Sequence, residues 1–304
     1  MRVLVVGVDL NTFVKEQCDA LKAEGVTVSM YEVTGHGIGG YLKELSKLKK
    51  DIVDFHPDII HAHYGLSGLL ACLQRRVPVV TTYHGSDIHS GGWILKLSLL
   101  AIKLSSYNVF ISKRLLELSG SHQSNTAILP CGIDLDTIHE ILRNEAKLLV
   151  KRQKPFVLFS GSFTNEVKNP TLAKEAMAKV DEAELVELRG YTRQEVNLMM
   201  NAADCLLMTS HREGSPQVIK EAMACGTPIV SVDVGDVKEV MGNTEGCYIA
   251  ERNPDDIADK IRQALTFKGK TNGRQRIIDL GLSNNLVAKR LVGIYRQVLN
   301  DRKS

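Results

Sequence analysis

The sequence predicts an α/β protein built from two doubly wound parallel sheets in tandem. Three observations carry that reading. Short apolar runs alternate with segments of helical period along the chain. The first run, residues 3–8, is continuously apolar, as expected of a parallel strand covered on both faces. The alternation then starts afresh after residue 155 of 304, a length that suits two domains of ordinary size.

The elements follow in order. Residues 13–22 have helical spacing, Gly25 is a stop, and 26–31 form a second strand. Residues 41–55 read as a helix ending near Pro57, 59–63 as a strand, 67–74 as a helix and 77–83 as a strand. A helix at 93–104, a strand at 109–112 and a short strand at 127–129 complete this half. A helix at 138–150 leads to a charged stretch that ends at Pro155. The second series has strands at 156–160, 183–188, 205–208 and 228–232, and helices at 171–180, 194–201 and 216–224. The domains are therefore expected at 1–150 and 151–285, with an amphipathic final helix in 286–304 joining the first. Open sheets of this kind, Rossmann-like in build, bind ligands at the carboxyl ends of their strands, so a cleft between the two domains is the expected site.

Composition narrows the classes. Hydrophobic residues make up 44% and charged residues 24%, a globular profile. A net charge of +3, with no basic run longer than Lys49-Lys50 or Arg75-Arg76, argues against nucleic acid as a partner. The six cysteines are scattered with no C-x-x-C pair, which fits a reducing cytoplasm rather than disulfides or structural zinc. The amino terminus reads as a strand, not a signal peptide, and no apolar stretch reaches the roughly 18–20 residues that span a bilayer.

The chemistry concentrates in MTSHREGSPQVIKEAMACGTPIVSVDVGDVKE, residues 208–239. A strand ends in a polar loop, Ser215 is a candidate helix N-cap, Pro216 a candidate first helical residue, and Gly226 and Pro228 close the helix. A helix start at a strand's carboxyl end offers backbone N–H groups and the helix dipole to an anion. Glu221, inside that helix, suits vicinal hydroxyls, because a carboxylate accepts two hydrogen bonds at once.

This string resembles retaining glycosyltransferase family 4, also called glycosyltransferase group 1, through Glu213-x7-Glu221, Gly214, Pro216, the Gly226-Thr227-Pro228 turn, Gly235 and Glu239. The resemblance spans nearly the whole chain and implies the two-domain GT-B fold. It implies that Glu221 binds ribose hydroxyls, that Glu213 lies near the donor sugar, and that Gly214, Ser215, Pro216 and Gln217 meet the diphosphate or sugar. The segment from Phe159 to Asn169 contains Gly161 and Lys168 in a strand-to-helix loop and lacks the Walker pattern. It resembles the family's phosphate loop, with Lys168 as the phosphate lysine and Ser162 where the family has arginine. Arg189, Gly190 and Tyr191 are candidates for base recognition.

In the first half, Thr82-Tyr83-His84-Gly85-Ser86-Asp87 resembles the family's T-x-H-G-x-D segment. That implies a sugar contact for His84 and a sugar or acceptor contact for Asp87. His63 and Asn11 are further acceptor-side candidates; the family's Gly-Gly loop after the first strand is absent here, and Asn11 stands near its place. His61 and His63 share one face of a strand, but a metal would need a third ligand that the sequence does not supply. Asp134-Leu135-Asp136 has the spacing of a metal-binding D-x-D, but its setting reads as a helix cap.

The expectation is a metal-independent hexosyltransferase with no cofactor, using a UDP- or GDP-sugar. The acceptor would be a glycan or lipid-linked hydroxyl, in bacterial-type surface polysaccharide, lipopolysaccharide or glycolipid synthesis. The alternative is a nucleotide-sugar-binding subunit with impaired turnover, suggested by Ser162 and the missing Gly-Gly loop. The shortness of the chain for the family suggests trimmed acceptor-side loops. Residues 93–104 read foremost as a core helix with snorkelling lysines. A Trp and two lysines also allow peripheral contact with the inner face of a membrane.

Overall fold

The computed structural model describes every residue except 9, 11, 36, 303 and 304, so the candidate Asn11 lies outside the described residues. Two compact units emerge, Met1–Gly132 with Asn284–Ser304, and Ile133–Ser283.

The first unit runs β1 (Arg2–Gly7), α1 (Thr12–Ala23), β2 (Thr27–Glu32), α2 (Gly37–Phe55), β3 (Ile59–His63), α3 (Gly65–Cys72), β4 (Val79–Tyr83), α4 (Ser86–His89), α5 (Gly92–Leu104), β5 (Tyr107–Phe110), α6 (Lys113–Ser119) and β6 (Thr126–Ile128). Its sheet is parallel in the order β2-β1-β3-β4-β5-β6. Along β1, Val3 and Val5 pack against one set of helices and Leu4 and Val6 against the other. This two-sided burial is why the strand is apolar throughout.

The second unit contains α7 (Arg143–Leu149), β7 (Phe156–Phe159), α8 (Pro170–Met177), β8 (Glu184–Glu187), α9 (Arg193–Ala202), β9 (Cys205–Met208), α10 (Gln217–Ala224), β10 (Ile229–Val232), α11 (Val237–Met241), β11 (Cys247–Ala250), α12 (Pro254–Thr266) and α13 (Gly273–Asp279). Its sheet, β11-β10-β9-β7-β8, is also parallel. The chain then returns to the first unit as α14 (Asn284–Asp301). There Val287, Leu291 and Tyr295 are buried in one apolar cluster with Val14 and Leu21 of α1.

The fold class stands as expected, with three corrections of detail. The boundary falls after Gly132, not near residues 151–155. The cause is α7, which packs on α9. The Lys147 ammonium holds Asp204 at 2.8 and 3.0 Å, and the same carboxylate accepts the Phe156 N–H at 2.9 Å. The helix expected at 138–150 is only Arg143–Leu149, because Asp134 accepts from the backbone N–H groups of Asp136 and Thr137 and ties the preceding segment into a turn. Residues 233–283 carry four elements that the sequence reading left unassigned, one strand and three helices. Of these α12 had a readable start, with Asn253 capping the Asp255 N–H and Pro254 at the first helical position. Among the described residues, no helix is long and apolar enough to cross a membrane.

Candidate active site

In the second sheet, strand order reverses between β7 and β9. Loops at the carboxyl ends of two such strands diverge and leave a crevice between them. The loop after β7 carries Gly161, Ser162 and Lys168, and the loop after β9 carries Glu213, Gly214 and Ser215. The Lys168 Nζ lies 2.8 Å from Glu213 Oε1, with both side chains mostly buried. The crossing is stitched further: the His211 N–H donates to the Val167 carbonyl at 2.9 Å, and the Thr209 hydroxyl reaches the carbonyls of Lys168 and Asn169 at 2.9 and 2.8 Å.

Lys168 closes a single 3₁₀ turn, Glu166–Lys168, capped by Asn165. Asn169 then caps α8 in a left-handed conformation. Gly161 sits against the aliphatic stem of Lys168. The Ser162 hydroxyl bonds Thr164 Oγ1 at 2.9 Å and accepts its N–H, so it is spent on its own loop. Arg189, Gly190 and Tyr191 form an exposed or half-exposed loop after β8, the strand beside β7.

The helix start differs from the sequence expectation. The N-cap of α10 is Pro216, with Gln217 as the first helical residue, and no side chain caps it. Ser215 Oγ instead donates to Asp236 Oδ2 at 2.6 Å, which fastens the loop after β9 to the loop after β10. Gly235 completes this junction: it has φ +61°, and a Cβ there would stand 2.8 Å from the Gly214 carbonyl oxygen. Burial pushes the Asp236 carboxyl above its usual range, offset in part by the Lys220 charge. Lys220 is fully buried, and its amine meets Gln217 Oε1 at 2.9 Å.

Glu221 is buried one turn into α10, where Oε1 pairs with Arg193 Nη1 at 2.5 Å. Arg193 opens α9, whose start is set by a complete Thr192–Glu195 capping box. Sequence reading missed Arg193, Lys220 and Asp236. Lys220 left a signal: it falls with Ile219 and Met223 on the buried face of α10, where helical period puts apolar side chains.

A second cluster lies in the first unit, where strand order reverses between β1 and β3. His63 ends β3 and His84 follows β4; His63 Nδ1 and His84 Nε2 are 2.9 Å apart, one ring donating to the other. Phe13 and Tyr64 flank the His84 ring at centroid distances of 5.3 and 4.6 Å. Deeper, His61 bridges Thr82 Oγ1 at 2.8 Å and the Tyr295 hydroxyl at 2.7 Å. Burial lowers His63 to about 4 and holds His61 well below its ordinary value, so both rings are neutral near pH 7. Asp87 is buried and its carboxylate accepts the N–H groups of Gly65, His84 and Gly85 at 3.2, 3.2 and 2.8 Å. It therefore shapes the turn that presents His84, rather than offering a free carboxylate to an acceptor. Among the described residues no group of three or more His, Cys, Asp or Glu side chains is placed to hold a metal.

Two family models match consecutive stretches: Glycosyltransferase Family 4 over residues 23–137 and Glycosyl transferases group 1 over residues 137–266. The chain belongs to glycosyltransferase family 4. The putative teichuronic acid biosynthesis glycosyltransferase TuaC of Bacillus subtilis is 27% identical over 244 residues, covering 68% of this chain and 61% of that protein. This family 4 chain thus spans less than two thirds of that relative's length. Sucrose-phosphate synthase from Thermosynechococcus elongatus superposes with TM-score 0.88 at 17% identity, over 99% of this chain and all of that one. Anabaena Alr3699/HepE in complex with UDP gives 0.77 at 14% identity, over 98% of this chain and all of that one. These structures share the GT-B architecture of two parallel-sheet α/β domains.

Proposed function

We propose that this family 4 chain transfers a sugar from a nucleoside-diphosphate sugar to a hydroxyl acceptor, with retention at the anomeric carbon and without a metal. The observation that carries the reading is the Lys168–Glu213 pair at the strand-order reversal of the second sheet, beside the start of α10. Lys168 and the N–H groups at that helix start suit a diphosphate leaving group, whose developing charge they stabilise. Glu221 suits the ribose hydroxyls and Glu213 the sugar, with the loop 189–191 toward the base. In the first unit, His84 is the candidate for sugar hydroxyls and His63 for holding its ring. The neighbour solved with UDP supports a uridine nucleotide as the first donor to test, ahead of guanosine. Similarity to TuaC, named for teichuronic acid biosynthesis, supports a glycan acceptor in polysaccharide synthesis, and the reading includes a lipid-linked acceptor met by peripheral membrane contact.

Thermal stability measured against UDP-, GDP-, ADP-, CMP- and dTDP-sugars tests the donor site, since a ligand that binds only the native state raises the Tm. A shift with one nucleotide class that disappears in Glu221→Ala supports it; no shift with any of them overturns it. Product anomeric configuration tests retention, and activity in the presence of a chelator tests metal independence.

A second reading, a partner subunit without turnover, is favoured by one observation: the Ser162 position supplies no cation, its hydroxyl being held by Thr164. Donor hydrolysis in the absence of acceptor decides against it.

A further inference from the structure

Helix α5 reads GWILKLSLLAIKL, thirteen residues without one Asp or Glu. Its inner face, Ser98, Ala101 and Ile102, is buried, and α3 packs along it. The outer face carries Trp93, Lys96, Leu100, Lys103 and Leu104, spaced three, four, three and one residues apart, which is a single stripe about 16 Å long. The apolar members of the stripe are open: Trp93 is 64% exposed, Leu100 43% and Leu104 48%. The expectation of a mostly buried helix is therefore wrong for this face.

At its carboxyl end the stripe runs into a cavity of about 470 Å³ lined by Leu73, Arg75, Arg76, Leu104, Asp301 and Arg302, among others. Leu73 is 44% exposed, and both Arg75 and Arg76 are exposed. The Arg302 guanidinium bonds the Arg76 carbonyl at 2.7 Å, so the end of α14 is tied to this rim. Five basic side chains and four large apolar ones thus border one surface, with one carboxylate among the named residues.

We propose that this surface docks the chain on an anionic lipid bilayer, with α5 lying in the plane of the headgroups. The spacing favours a bilayer over a second copy of the chain. Lysines interleaved with apolar residues can extend to lipid phosphates while their stems stay apolar. In a protein interface the same lysines would be buried at its core, where charged residues are depleted. Tryptophan suits the headgroup boundary, with an apolar body and one polar N–H. The arginine rim matches phosphate, which guanidinium binds in bidentate fashion. The inference deepens the membrane contact of the reading above and rests on it for its purpose, but its test uses no transfer reaction.

The full chain is floated with vesicles of phosphatidylcholine alone and of phosphatidylcholine with phosphatidylglycerol. Binding to the anionic vesicles, weakened by salt, is the expected result. Trp93→Ser with Leu100→Ser lowers the partition coefficient about tenfold or more. Arg75→Gln and Arg76→Gln each lower it about fivefold. All of these positions are exposed, and the variants are to keep the native Tm and the nucleotide-induced shift. No binding to anionic vesicles, equal binding to both compositions, or unchanged binding in the variants overturns the proposal. So does a wild-type dimer that Trp93→Ser dissociates in sedimentation without any vesicle binding. Vesicle binding that holds while no nucleotide shifts the Tm supports the docking surface and counts against the transferase reading alone.

Discussion

Lys168 Nζ lies 2.8 Å from Glu213 Oε1, although the two residues are 45 positions apart. The pair joins the loops that follow β7 and β9, where strand order reverses. A diphosphate arriving there would compete with Glu213 for the ammonium. Lys168→Met should therefore weaken nucleoside-diphosphate binding by roughly tenfold to a hundredfold, the worth of a charge-assisted hydrogen bond. Glu213→Gln should keep or strengthen diphosphate binding, since it removes an anion, while turnover falls. Calorimetric titration of both variants with UDP and GDP checks this, and an unchanged affinity in Lys168→Met rules it out.

Glu221 and Arg193 form a second ion pair of the candidate site, at 2.5 Å. If the Glu221 carboxylate accepts from ribose hydroxyls, a deoxyribose analogue should bind the native protein about tenfold more weakly than the ribonucleotide. The same comparison in Glu221→Ala should show no difference. A preference for ribose that survives in the variant would remove Glu221 from this role.

Gly235 has no room for a side chain, at φ +61° with the Gly214 carbonyl where a Cβ would press. Gly235→Ala should cost roughly 1–3 kcal/mol of stability from backbone strain and weaken donor binding, because the loop that holds Glu213 must shift. Ser215→Ala, which removes only the hydroxyl that reaches Asp236, should weaken donor binding with a smaller loss of stability. Urea titrations and nucleotide affinities separate the two effects; full donor affinity in Gly235→Ala would show that the loops are not coupled.

Lys147 and Asp204 are nearly buried and hold α7 to the second sheet. Asp204→Ala leaves the ammonium without its carboxylate and the Phe156 N–H without its acceptor. It should lower stability by roughly 3–5 kcal/mol. Replacing both partners with apolar residues should recover most of that loss. Equilibrium denaturation of the single and double variants gives the comparison.

His63 gives the first unit a pH dependence. Burial lowers its folded-state value to about 4, below the ordinary 6.5. The unfolded chain therefore binds more protons between those values, and stability rises with pH across that window. As pH falls from 6.5 toward 4 the protein should lose roughly 3 kcal/mol through this ring, with His61 adding to the loss in the same direction. His63→Asn should flatten the slope of Tm against pH over that range. An unaltered slope would assign the acid sensitivity elsewhere.

Much of this was legible in the order of residues. A parallel strand buried on both faces has to be apolar, so β1, β3 and β9 announce themselves, and β3 and β9 lie where expected, at Ile59–His63 and Cys205–Met208. The Glu213–Glu221 string, Lys168 and His84 stand out in the sequence because each lies beside a turn at the end of an apolar run, and the structure places Lys168 against Glu213 and His84 against His63. β11 was not readable, since it is an edge strand, half-buried over Cys247–Tyr248–Ile249, with too little apolar contrast to stand out. Tertiary structure alone decided the partners. It put Arg193 against Glu221 and drew Ser215 away from capping α10 to Asp236. It spent Asp87 on three backbone amides and turned the apolar stripe of α5 outward. Local pattern records which residues one strand or helix brings to a common face. Ion pairs and exposed faces depend on which loops and helices the sheet order makes neighbours, and that order is set by packing between segments distant in the chain.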